Sequence, residues 1–186
     1  MTSLAGFAPA VIVRDARPEE MAEVGEIRMT AYLADGFLSE GSSYGPTLRA
    51  LGTAGDGPVL VAVADGDDRR IVGTVMLQLW PHAGEVVTGP GEAEIRALAV
   101  APDGQGRGTG RALLRAVIER AALTGVRHLV LLTQPEMQTA QRMYRRAGFV
   151  RLPERDWSPR PGVILLAYGL VLAPGGQASG WSADGG

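Results

Sequence analysis

Glu92-Ala93-Glu94-Ile95-Arg96-Ala97-Leu98-Ala99-Val100-Ala101-Pro102-Asp103-Gly104-Gln105-Gly106-Arg107-Gly108-Thr109-Gly110-Arg111 is the stretch whose reading decides the fold. A strand from Glu94 to Val100 passes into a glycine-rich turn, and a helix follows from Thr109 to Leu123. Leu114, Val117, Ile118 and Ala121 form the apolar stripe of that helix, Arg115 and Glu119 pair outside it, and Gly125 stops it. Such a turn is an anion site. The first helical turn leaves N–H groups unpaired at the positive end of the dipole. Glycine admits an oxygen-rich ligand, such as a pyrophosphate, close to the backbone. The plain alternative is a tight strand-to-helix turn. The Gly-Lys-Ser/Thr ending of an ATP loop is missing, and so is a G-x-G-x-x-G run after an N-terminal strand.

Upstream, Val11 to Arg14 reads as a strand, and Pro18 opens a helix that runs to about Tyr32. A short helix around Thr47 to Leu51 is expected. Val59 to Ala64 and Ile71 to Trp80 form a hairpin across the Asp65-Gly66-Asp67-Asp68 turn, and Pro81 to Gly91 is a loop. Downstream come a strand over His128 to Leu132, a helix over Gln138 to Ala147 capped by Gly148, and strands over Phe149 to Leu152 and Val163 to Leu172. Strands and helices in mixture imply a mixed α/β sheet of about seven strands flanked by helices, and the hairpin requires antiparallel pairing. The expected organisation is one domain over residues 1–172 and a disordered Gly/Ser-rich tail over 173–186.

Composition narrows the chemistry. No cysteine occurs among the 186 residues, which excludes disulfides, a thiolate metal ligand and a cysteine nucleophile. His82 and His128 lie too far apart in sequence for a metal-ligand spacing, so no metal is expected. The formal net charge of −2 gives no global field for nucleic acid. Arg142, Arg145, Arg146, Arg151 and Arg155 suit a solvated face better than an RNA surface. No apolar run is long enough for a membrane span, and no leader pattern opens the chain, so a cytoplasmic location is the default expectation.

Gln105-Gly106-Arg107-Gly108-Thr109-Gly110 fits the Q/R-x-x-G-x-G/A signature of the GNAT N-acetyltransferase superfamily. Leu98-Ala99-Val100-Ala101-Pro102 resembles that family's fourth strand. Ala140-Gln141-Arg142-Met143-Tyr144-Arg145-Arg146-Ala147-Gly148-Phe149 resembles its A-x-x-x-Y-x-x-x-G-F segment, and Arg14 to Glu19 its usual opening. The likeness spans roughly residues 11 to 172. One position departs from the pattern: Met137 stands where the family often carries an Asn that holds the pantetheine arm, and Gln138 or Gln134 is a candidate substitute.

The resemblance implies a sheet that splays after the fourth strand, with acetyl-CoA as co-substrate in the gap. Leu98, Ala99 and Val100 would line the pantetheine, and the Leu98 N–H would polarise the thioester carbonyl. Gln105, Gly106, Arg107, Gly108, Thr109, Gly110 and Arg111 would hold the pyrophosphate. A neutral amine is needed for attack, so a general base is required. Glu94 resembles the base position of some family members, with Glu92 or a water chain as alternatives. A regular strand puts Glu94, Arg96, Leu98 and Val100 on one face, where Glu94 and Arg96 also suit a solvated strand end. Tyr144 matches the family's acid, which protonates the CoA sulfur; a packing aromatic is the other reading.

The acceptor is expected to be a small-molecule or peptide amine, flanked by Tyr32 and Phe37 with Tyr44 on one side and Pro153 to Trp157 on the other. There Glu154 and Asp156 would attract a cation and Trp157 would stack on it. A homodimer is compatible with this reading, and a silent acyl-CoA-sensing module of the same fold is its rival.

Overall fold

The computed structural model describes residues 11–65 and 70–173. The tail expected to be disordered lies outside these residues apart from Ala173, as does most of the Asp65–Asp68 turn. Among the described residues eight strands form one sheet: β1 (Val11–Asp15), β2 (Val59–Ala64), β3 (Ile71–Leu79), β4 (Glu92–Val100), β5 (His128–Thr133), β6 (Val150–Arg151), β7 (Trp157–Arg160) and β8 (Val163–Val171). The order is β1-β2-β3-β4-β5-β8-β6, with β7 paired to β8. Among the described residues only β4 and β5 run parallel. A parallel neighbour requires a crossover, and helix α3 (Thr109–Leu123) makes it.

The count of strands exceeds the seven expected from sequence by β7. Pro159 breaks the β pattern of Trp157–Arg160, which is tolerable because the segment lies off the main path of the sheet and pairs β8 with an irregular register. The short helix is displaced as well: α2 spans Gly45–Ala50, with Pro46 in its first turn. Helix α1 covers Met21–Ala34 after a 3-10 turn at Pro18–Glu20.

Both faces of the sheet are covered, which explains why β2 and β3 are buried almost throughout. Helix α3 and helix α4 (Gln138–Arg146) bury Leu113, Leu114, Val117 and Tyr144 with Leu60, Ile95, Leu129 and Tyr168 of the sheet. The other face is divided. Helices α1 and α2 pack Val24 and Leu48 on Val61, Ile71 and Met76. Beyond them the loop between β3 and β4 lays Val86 and Val87 on Val130 and Ala167. Arg28 of α1 is fully buried and donates to the Leu51 and Leu48 carbonyls, tying α1 to the end of α2.

Helix α4 ends in a Schellman cap. Gly148 has φ 94°, its N–H donates to Arg145 O, and the Phe149 N–H donates to Tyr144 O. The Tyr144 and Phe149 rings, 5.9 Å apart, supply the apolar contact that accompanies such caps. Helix α3 stops in the same way, with Gly125 N–H on Ala122 O and Val126 N–H on Ala121 O. Among the described residues no helix is long and apolar enough to cross a membrane.

A Cβ at Gly57 would collide with the Leu77 carbonyl oxygen, a backbone atom that cannot swing aside. Gly57→Ala should therefore cost about 2–3 kcal/mol. Denaturant unfolding checks this, and a loss indistinguishable from zero would mean that the Asp56–Pro58 turn yields freely.

Candidate functional site

Strands β4 and β5 are in register from Glu92↔His128 to Ile95↔Leu131 and then part. β5 continues through Leu132 and Thr133 on β8, whereas β4 continues on β3 alone. The backbone of β4 beyond Ile95 thus has no strand on its β5 side. The parting opens a cleft of about 1540 Å³, walled by Leu98 and Val100, by Leu132 and Thr133, and by the facing ends of α3 and α4.

A bulge sits at the same point. Met76 faces Arg96 and Thr74 faces Ala99, so Ala97 and Leu98 together oppose Val75. Ala97 has φ 50°, an unusual value for a residue with a Cβ. The extra residue reverses which way the following side chains point. Ala93 and Ile95 belong to the core under α3 and α4, and Leu98 and Val100 pack against that same core. Ala97 packs toward α1 instead. The shared face of Glu94, Arg96, Leu98 and Val100 expected for a regular strand does not exist. Glu94 and Leu98 look to opposite sides of the sheet.

At the cleft's mouth the turn before α3 has the anion-site geometry. Gly106 and Gly108 have φ 74° and 80°, backbone that side-chain-bearing residues adopt only with strain. Among the described residues the N–H groups of Gly106, Arg107 and Gly108 have no acceptor, and the first intrahelical bond there is Ala112 N–H to Gly108 O. Thr109 contributes backbone only, since its buried hydroxyl donates to Gly104 O. Gln105 is turned to Asp35 and to Val100 O. Leu98, Ala99, Val100, Gln105, Gly106, Gly108, Thr109, Gly110 and Arg111 all line the cleft, and Arg107 does not.

Tyr144 lines the cleft wall from α4. Burial pushes its phenol up to about 12, so it keeps its proton at neutral pH. Met137 receives the Thr133 hydroxyl on its sulfur at 3.5 Å. Of the two glutamines offered as substitutes there, Gln138 lines the cleft, while Gln134 is engaged with Phe37 O at 2.9 Å.

The two carboxylates of β4 have opposite surroundings. Glu94 is 4% exposed. It receives the Gly84 N–H at 3.1 Å and stands 3.8 Å from the Arg96 guanidinium. Burial raises its pKa above the ordinary glutamate value, against Arg96 and the Gly84 N–H, which lower it. Glu92 accepts from both the N–H and the hydroxyl of Thr88, pairs with Arg155 through both of its oxygens, and meets His128 Nδ1 at 2.8 Å. Burial would raise its pKa, but the bonds from His128, Thr88 and Arg155 prevail and hold it at about 2. So weak a base is unsuited to remove a proton from an amine.

Tyr32 and Phe37 line the cleft, but Trp157 does not. Trp157 stands on β7, paired with Leu165. Asp156, expected to attract a cation, is bonded by both oxygens to Arg151 and accepts the Ala167 N–H. The sequence reading missed the polar partners around Glu94. Arg96 donates to Gln78 and to the Tyr44 hydroxyl, and Gln78 in turn donates to Asp56. Gln78, the penultimate residue of a strand whose other polar residue is Thr74, is the signal that sequence offered.

Residues 10–149 match the model of the acetyltransferase (GNAT) family. The chain is 37% identical over 94 residues to a mycothiol acetyltransferase of Cellulomonas flavigena, covering 50% of this chain and 26% of that protein. It is 38% identical over 132 residues to one from Acidothermus cellulolyticus, covering 67% of this chain and 37% of that protein. The chain therefore spans well under half the length of these relatives. Among solved structures, an acetyltransferase of the GNAT family from Staphylococcus aureus superposes with a TM-score of 0.67 at 18% identity, covering 86% of this chain and 98% of that one. A phosphinothricin acetyltransferase from Sinorhizobium meliloti, in complex with acetyl-CoA, gives 0.66 at 18%, covering 89% and 90%. These structures share the fold.

The depressed pKa of Glu92 has a consequence for stability. A carboxylate lowered from 4.5 to about 2 on folding contributes stability that is fully present above pH 4.5 and lost as the pH falls through 2. Glu92→Gln should lower stability at neutral pH by on the order of 2–3 kcal/mol. Its gap from the wild type should close between those two pH values in denaturant melts. A gap independent of pH would show that the charge of Glu92 is not what the network stabilises.

Proposed function

The chain belongs to the GNAT acetyltransferase family, and from that premise we propose that it transfers an acetyl group from acetyl-CoA to an amine by direct attack. The observation that carries the reading is the cleft itself: unpaired strand backbone on one side, and unpaired N–H groups at a helix start on the other. A thioester arm and a pyrophosphate need those two features within one groove. Leu98 and Val100 would pair with the arm of the co-substrate, and the Leu98 N–H would polarise the carbonyl. The turn from Gly106 to Arg111 would take the pyrophosphate, with Arg107 supplying a backbone N–H alone.

Glu94 is the base in this reading. Its raised pKa makes it a better proton acceptor than an exposed glutamate, and its burial suits transfer through a bound water. The amine nitrogen forms a bond to the acetyl carbon, the C–S bond breaks, and Glu94 takes the proton lost by nitrogen. Tyr144 donates a hydrogen bond to the departing sulfur and passes its proton there as the negative charge develops. The acceptor is a small-molecule or peptide amine entering beside Tyr32 and Phe37, and Trp157 has no part in that entrance. A single domain over residues 1–172, a cytoplasmic location and a homodimer are all compatible with this activity.

Free-thiol release from acetyl-CoA with a panel of amines separates catalysis from mere acyl-CoA sensing. Turnover is expected, and acetyl-CoA bound without turnover would favour the sensing module. Gly108→Val, which forces a β-branched residue into the left-handed region, should weaken acetyl-CoA binding by about tenfold or more in calorimetry. Unchanged affinity would remove the pyrophosphate assignment. Glu94→Gln should depress kcat/KM most near neutral pH and least at alkaline pH, where solvent deprotonates the amine. Tyr144→Phe should lower kcat with little effect on acetyl-CoA affinity. A loss uniform across pH in the first variant, or undiminished kcat in the second with chemistry rate-limiting, would withdraw the corresponding role.

A further inference from the structure

Glu94 is buried because the loop from Trp80 to Gly91 lies over it, and that loop is fastened by residues distant in sequence. Val86 and Val87 sit on Val130 and Ala167. Thr88 is bonded to Glu92 through both its N–H and its hydroxyl. Arg155 Nη1 reaches three oxygens at once: Glu92 Oε1 at 2.9 Å, Glu92 Oε2 at 3.0 Å and the Val86 carbonyl at 3.3 Å. It is the side chain that joins the covering loop to β4 from outside both. Arg155 is itself held in place, since its N–H donates to Leu152 O and the adjacent Asp156 is locked to Arg151 and to the Ala167 N–H. Two residues before Val86, Gly84 donates its N–H to Glu94.

We propose that Arg155 is a positioning residue for Glu94: by clamping Val86 and Glu92 it closes the loop over the carboxylate and keeps bulk solvent from it. The inference rests on the base role given to Glu94 above. It assigns a purpose to the ionised Glu92 and to the Arg155–His128–Thr88 contacts around it, none of which touch the cleft. A carboxylate's affinity for its proton rises as water is withdrawn, so the clamp would act on base strength without contacting the reacting atoms.

The charged neighbours of Glu94 fix the sign of the effect. Arg96, on the same strand, is the charge that acts on it. Gln78 of β3 and Val130 of β5 flank it in register and carry none. From the covering loop comes the Gly84 N–H, while His82 and Glu85 of that loop are exposed. Tyr32, Tyr44 and Asp56 lie beyond, around Arg28 of α1 and Arg96. Burial is the largest influence on Glu94 and the only one that raises its pKa. Loosening the loop admits water, and the pKa should fall toward the ordinary value.

The test reads Glu94 directly and needs no knowledge of the acceptor. Carbon-13 NMR of protein labelled at the glutamate carboxyl carbon gives the titration midpoint, the Glu94 resonance being identified by its loss in Glu94→Gln. The wild-type midpoint should lie above the free glutamate value of about 4.3. In Arg155→Met it should fall by about half a unit or more, and Arg155→Lys should recover part of that shift. A Glu94 midpoint unmoved in Arg155→Met, with only the melting temperature lowered, overturns the proposal and leaves Arg155 a structural clamp. If Arg155→Met does not fold, Thr88→Val loosens the same junction, and an unmoved midpoint there overturns the proposal equally. The base reading fails separately: if thiol release were indifferent to Glu94→Gln, Glu94 would not be the base, whatever its midpoint does in the Arg155 variants.

Discussion

The parting of β4 from β5 after Ile95 is the constraint on which the rest of the structure depends. A parallel pair in mid-sheet would ordinarily continue to the ends of both strands, satisfying every backbone group. Here the bulge at Ala97 and Leu98 turns β4 aside while β8 carries β5 onward. The cost is a row of strand backbone without a partner strand and one residue at positive φ. Irregularities of this kind persist where the surrounding structure enforces them. The enforcing elements are the core under α3 and α4, into which Leu98 and Val100 pack, and the antiparallel ladder with β3 on the far side.

From that parting the two sides of the site acquire different chemistry. Toward α3 and α4 the cleft offers backbone N–H groups, glycines in the left-handed region and a phenol that holds its proton. On the opposite face lies Glu94, separated from Leu98 by the bulge and covered by the β3–β4 loop. One strand thus presents unpaired backbone to one side and a buried carboxylate to the other. Glu92 and Glu94, two residues apart, show how surroundings divide like groups between tasks. Glu92, given every hydrogen bond it can use, is an anchor with a pKa near 2. Glu94, given burial and few donors, is the more basic of the pair.

The A-x-x-x-Y-x-x-x-G-F segment has a reading independent of catalysis. Tyr144, Gly148 and Phe149 occupy the C3, C′ and C″ positions of one Schellman cap, so the motif is also the way α4 ends. That cap holds the Tyr144 ring against Phe149 and Tyr168 in the wall of the cleft. The same packing that closes the helix also orients the phenol.

Much of this was legible in the sequence because it is local. Hydrophobic periodicity and glycine stops determined the extents of α3, β2 and most of β3, and the run of glycines at a helix start marked the turn whose N–H groups stand unpaired. Glu94 and Tyr144 were singled out by the resemblance of the segments around them to the GNAT family. Only the tertiary structure decided what depends on pairing across the chain. The bulge at Ala97–Leu98 is invisible to an alternation rule, because it exists only against Thr74 and Met76 of β3. The additional strand β7, at Trp157–Arg160, exists only against β8 and holds Trp157 away from the cleft. The roles of Glu92 and Glu94 were likewise undecided by composition. A carboxylate's proton affinity is set by the groups that surround it, and here Arg155, His128, Thr88 and Gly84 come from segments that only folding brings together.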